Sequence, residues 1–180
     1  MTPLAEDLLA GPILPWQVLL LRLGGAAVLC GLVGLEREMQ GRPAGLRTHI
    51  LVGLASAVYT LIMVELVSRA DSYPDIARVD PIRIVEAVTG GVAFLAAGLI
   101  VFTSDKVRGL TTGAGLWLSA AVGLSVGLGL WPLAGLATIL SLAVIHLLGR
   151  LEEKAGREAR DRRDGEGAPT GEDDRSGGAS

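Results

Sequence analysis

Charge is scarce in this chain. No Asp, Glu, Lys or Arg occurs between Gly109 and Leu148, and only 19% of the 180 residues are charged against 50% hydrophobic. A hydrocarbon core takes about 20 apolar residues as helix. The uncharged run is therefore too long for one span and long enough for two, turned at Gly127-Leu128-Gly129-Leu130-Trp131-Pro132. That balance leaves no room for a second sizeable soluble domain. Cysteine is nearly absent too: Cys30 stands alone in an apolar run, which excludes an internal disulfide. Two histidines, His49 and His146, sit on different segments and are too few for a metal site. No Ser/His/Asp set, zinc spacing or Gly-x-x-x-x-Gly-Lys-Ser/Thr loop occurs, which argues against an enzyme. The N-terminus has no basic stretch and carries Glu6 and Asp7, unlike a cleaved signal peptide.

What is present is five hydrophobic segments: Trp16–Leu35, Thr48–Val67, Ile82–Phe102, Leu110–Leu128 and Leu133–Leu148. They predict an all-α, polytopic transmembrane bundle over residues 16–150. A short segment, 1–15, precedes it, and a charged tail, 151–180, follows. The last segment is short and calls for tilt or a borrowed turn residue. Lys/Arg counting gives three basic residues on the side of the N-terminus and twelve on the other. The positive-inside rule then places the N-terminus outside and the C-terminus in the cytoplasm. The net charge of −3 belongs to the tail, with six basic and nine acidic residues, and does not call for a nucleic-acid partner. Glu152 to Arg160 can prolong the fifth helix. Beyond Arg163 the Gly/Glu/Asp/Ser composition predicts disorder.

Small residues at four-residue spacing are the packing signal in lipid. The fourth segment has an unbroken ladder of Gly115, Ser119, Gly123 and Gly127, and the third has Thr89, Ala93 and Ala97 beside Gly90, Gly91 and Gly98. Packing within the monomer, a dimer face and a substrate path would all use such residues.

Two polar constellations stand out. Arg22, Glu65, Asp80, Arg83 and Glu86 fall in or near the outer halves of the spans, where an unpaired charge costs a few kcal/mol or more. They predict either a structural ion-pair cluster or an outward cation site. Glu65 and Glu86 are the candidate carboxylates for Mg²⁺, with Asp71, Asp75 and Asp80 as loop additions. The second constellation gathers on the opposite face. Gly34-Leu35-Glu36-Arg37-Glu38 ends the first helix. Gly41-Arg42-Pro43-Ala44-Gly45-Leu46-Arg47-Thr48-His49 opens the second, and Val107-Arg108-Gly109-Leu110-Thr111-Thr112 opens the fourth. Thr111 and Thr112 stand at a helix N-terminus, which favours anions, and Arg47 and Arg108 add positive charge. An anionic headgroup, phosphate or a carboxylate such as Glu36 suits that place; ordinary positive-inside anchoring explains the arginines alone.

These motifs, with Asp80-Pro81-Ile82-Arg83-Ile84, Phe94-Leu95-Ala96-Ala97-Gly98 and Leu116-Trp117-Leu118-Ser119-Ala120-Ala121, resemble the MgtC/SapB membrane-protein family over roughly residues 20–148. The resemblance implies a bacterial inner-membrane protein of about five spans, linked to magnesium limitation, acid tolerance and survival inside host cells. It also implies an action on the membrane sector of the F-type ATP synthase. Virulence-type members carry an ACT-like domain after the last span. A charged low-complexity tail stands there in this chain, so roles of that domain are not carried over. Ala93 and Ala96 replace two glycines of the family's usual third-helix motif. The expected partners are the bilayer, another membrane complex and a further copy of the chain, with no cofactor beyond a possible Mg²⁺. A small cation or solute transporter and a structural lipid-binding protein are the competing expectations.

Overall fold

The computed structural model describes residues 11–69, 80–103 and 106–147, with backbone only at 101–103 and 106. The expectations for the tail 151–180, the helical continuation over Glu152 to Arg160 and the carboxylates Asp71 and Asp75 lie outside the described residues. The elements run α1 (Trp16–Met39), α2 (Leu46–Arg69), α3 (Pro81–Leu99), β1 (Val101–Thr103), β2 (Lys106–Arg108), α4 (Leu110–Leu128) and α5 (Trp131–Leu147). Helices α1 to α4 are long and apolar enough to cross a membrane. At 1.5 Å per residue, the 17-residue α5 spans about 25 Å, a little short of a core of about 30 Å. Residues up to Leu142 form one compact unit, and the end of α5 from Ala143 belongs to a second. The protein is a transmembrane helical bundle.

Each helix begins and ends for a local reason. Helix α1 starts after Pro15 and closes in a Schellman motif, in which Gly41 N–H donates to Glu38 O and Arg42 N–H to Arg37 O. Gly41 takes the left-handed φ of +64° that this motif needs. Across the turn, Glu38 Oε2 accepts the Leu46 N–H at 2.8 Å, so the end of α1 caps the start of α2. Asp80 caps α3 by accepting the Ile82 N–H at 3.0 Å, with Pro81 at the first helical position.

The third span departs from expectation. It stops at Leu99 rather than Phe102, and a two-stranded antiparallel hairpin follows, pairing Val101 with Arg108 and Thr103 with Lys106. Val101, Phe102 and Thr103 are β-branched or aromatic and suit a strand. Gly109 then turns the chain into α4 at φ +92°, where a Cβ would collide with the Leu99 carbonyl oxygen. Both the dihedral and the space demand glycine.

The interior is built from α1, α2 and α4, with α5 added through Ala134 and Ala137. Ala26, Cys30, Ala57, Val122 and Val126 form its apolar part. Ser56, Thr60, Ser119 and Thr138 are also buried, while Leu20, Leu21, Leu51, Ile139 and Leu140 face outward. Ser56, Thr60 and Thr138 donate their hydroxyls to carbonyls four residues back, which satisfies them without water. Glycines let the helix backbones meet. Gly123 lies against the Gly53 backbone, Gly53 against Cys30, Gly127 against Ala57 and Thr60, and Gly34 against His49 and Leu46. The ladder on α4 thus faces α2 within the monomer. Helix α3 is applied outside, on α4 through Val88, Val92 and Leu116 and less closely on α2. A cleft of about 380 Å³ separates it from α2, lined by Val52, Tyr59, Val88, Gly91 and Leu95 among others.

Candidate functional site

The motif arginine at the end of α1 goes inside. Arg37 is 4% exposed, and its Nη2 donates to Thr111 Oγ1 at 3.3 Å and to Thr112 Oγ1 at 3.1 Å. The Schellman turn holds Arg37 in the last turn of α1, and the hairpin delivers the first turn of α4 beside it. Three residues of one expected constellation therefore meet: Arg37, Thr111 and Thr112. The rest line its rim. Arg42, Arg47 and Arg108 are exposed, Thr48 is half-buried, and Glu36 accepts a hydrogen bond from Gln40 Nε2 at 2.9 Å.

The structure also places His49, the last residue of the motif that opens the second span. It is fully buried, between Gly34 on α1 and Gly115 on α4. Its Nδ1 lies 2.9 Å from Gly45 O, which assigns the Nδ1–H tautomer as donor and leaves Nε2 unpartnered among the described residues. One turn deeper, Cys30 Sγ–H donates to the Ser119 carbonyl at 3.4 Å. The signal for this polar column was the small residue opposite His49 and Cys30: glycine at 34 and 115 clears the room that the ring takes, and glycine at 53 the room for the thiol.

The outer charges do not gather. Arg22, half-buried, donates Nη1 to the Gly127 carbonyl at 2.6 Å. Glu65 pairs with Arg69 one turn on, at 2.6 Å, and accepts the Ile13 N–H at 3.0 Å. Asp80 caps its own helix, while Arg83 and Glu86 are exposed on α3. The expected pairing of Arg22 and Arg83 with Glu65 and Glu86 is not formed among the described residues. A helix-end carbonyl and an arginine four residues away lie nearer than a charge on another helix. No three His, Cys, Asp or Glu side chains gather among the described residues to hold a metal. The Glu65–Arg69 pair is partly solvated, so Glu65→Gln is expected to lower stability by less than about 1 kcal/mol, read as a small shift in a detergent melt.

The chain is similar in sequence to known proteins. The MgtC family model matches residues 23–154, which include every residue of the α1, α2 and α4 column. The chain is 38% identical over 133 residues to YhiD of Escherichia coli K12, a protein named provisionally as a magnesium transporter, covering 73% of this chain and 61% of that one. It is 40% identical over 126 residues to protein MgtC of Brucella abortus, covering 70% and 49%. With protein SapB of Bacillus subtilis it shares 34% over 114 residues, covering 61% and 49%. The chain spans about half to three fifths of the length of these relatives. No solved structure matches.

Proposed function

The chain belongs to the MgtC family, and from that premise we propose that it is a non-enzymatic regulator in the bacterial inner membrane. It acts by side-on helix contact with another membrane complex; the membrane sector of the F-type ATP synthase is the first partner to test. The observation that carries this reading is the outer face of α3. Arg83, Glu86, Gly90, Ala93 and Ala97 recur at helical spacing on one stripe, and all are exposed. A Cβ at Gly90, Gly91 or Gly98 would meet nothing within 4 Å. Glycine lowers helix propensity by about 1 kcal/mol and serves membrane helices chiefly where another backbone approaches. Charges facing lipid are costly until a partner covers them. The glycines of α2 and α4 are used up inside the bundle; those of α3 are free for another helix.

The test is a double variant, Gly90→Leu with Ala97→Leu. It is expected to melt like wild type yet to lose capture of the ATP synthase from solubilised membranes, and to lose any lowering of ATPase activity on overexpression. Wild type that captures no stable partner and leaves that activity unchanged would count against the reading. The provisional name of the E. coli relative makes cation transport the second reading. Mg²⁺ or H⁺ flux in liposomes that Glu65→Gln abolishes would favour it.

A further inference from the structure

We propose that Arg37 and the N-terminus of α4 form a binding site for a phosphate-class anion, entered beside Thr111, on the membrane face that carries both arginine-bearing turns. The site is independent of the α3 docking face.

Arg37 is a buried charge with no acidic partner among the described residues. A guanidinium taken out of water costs several kcal/mol unless it is paired. Arg37 is 4% exposed, yet its partners are two neutral hydroxyls, and its Nε is buried without any partner among the described residues. The carboxylates beside it in sequence are engaged elsewhere: Glu36 accepts from Gln40, and Glu38 caps α2. The ion pair among the described residues is Arg69–Glu65, on another part of the fold. What Arg37 does meet is positive. Helix α4 has 19 residues and follows Gly109 without a side-chain cap, so its first-turn amides lack a capping side chain, and about half a unit of positive dipole charge sits at the end that carries Thr111 and Thr112.

The hydrogens also run one way. Each threonine accepts from Arg37 and so keeps its own hydroxyl hydrogen to donate. Thr111 Oγ–H, the first-turn amides and Arg37 Nη1, which bonds to no described residue, are all donors. Only a ligand made of acceptors completes such a set. A phosphate or phosphodiester offers several charged oxygens, matches a guanidinium with two parallel bonds and suits a helix N-terminus. Thr112 is buried and Thr111 exposed, so the opening lies at Thr111. Exposed Arg42, Arg47 and Arg108 attract anions to the same face. The chemistry is shared by an anionic lipid headgroup and by free phosphate.

The experiment uses the purified full chain, delipidated in a maltoside detergent. It is titrated with inorganic phosphate against chloride at matched ionic strength, and separately with short-chain phosphatidylglycerol. A rise in melting temperature with phosphatidylglycerol that phosphate competes away assigns a headgroup site, and a rise with phosphate alone assigns a free-anion site. In either case Arg37→Gln is expected to weaken binding about tenfold or more, the loss of one charge-assisted contact. Should Arg37→Gln fail to fold, Thr111→Val, which leaves the Thr112 contact in place, is expected to melt somewhat lower than wild type without ligand and to show a smaller rise with ligand. Wild type that responds to neither probe overturns the proposal. So does a folded variant, Arg37→Gln or Thr111→Val, whose response equals that of wild type.

Discussion

Gly123→Val is expected to be among the most damaging single substitutions in the bundle, lowering the melting temperature in detergent far more than any glycine change on α3. A Cβ at residue 123 would run into the Gly53 carbonyl oxygen, and the Gly53 backbone carbon atoms stand within 3.0 Å of the same point. No rotamer relieves a collision with backbone. Either α2 and α4 separate along their shared face or α2 bends. Separation also opens the contact of Gly127 with Ala57 and Thr60, because both glycines lie on one ladder. Overpacking a tight interior typically costs 1–3 kcal/mol, and a clash that moves a whole helix belongs at or above the top of that range, about 3 kcal/mol or more. Gly90→Val is the matched control. It adds the same side chain to an open surface and is expected to stay within about 0.5 kcal/mol of wild type. Equal melting temperatures for the two variants would mean that α2 and α4 do not touch as described.

Spans were legible in the sequence because length alone decides them: a run of about 20 apolar residues has one solution in lipid. The end of the third span was not, since Val101 and Phe102 continue the apolar run. The helix gives way at Leu99 to the hairpin, which brings Gly109 back against Leu99 O, a tertiary contact that no run of letters displays. Sequence also brought the arginine-bearing turns to one face with Thr111 and Thr112. It did not show which arginine enters. Arg37, Arg42, Arg47 and Arg108 look alike as letters, and only the meeting of the last turn of α1 with Thr111 and Thr112 decides the matter. The outer charges misled for a simpler reason. Charges are visible in a sequence and backbone carbonyls are not, so Arg22 reads as a partner for Glu65 or Glu86 when its acceptor is Gly127 O.

That bond carries the second large expectation: Arg22→Met should destabilise the protein by about 1.5–3 kcal/mol, the range for a hydrogen bond to a charged group. The last four carbonyls of a helix have no partner within it. At the end of α4, Gly129 N–H takes Val126 O and Leu130 N–H takes Ser125 O, while Gly127 O is left to Arg22. The guanidinium also lies against Gly129, where a Cβ would sit 2.9 Å from Nη2. A cation at a helix C-terminus gains further from the dipole, and lipid offers no water to replace it. Met fills similar volume without charge, so the loss reports the bond rather than a cavity. Arg22→Lys keeps the charge and one donor and is expected to recover part of the difference. The measurement is a melt or a denaturant titration in detergent, read beside an ion-flux assay in liposomes. If Arg22→Met melted like wild type but altered flux, Arg22 would be a transport residue, and its role as the strut joining α1 to α4 would fall.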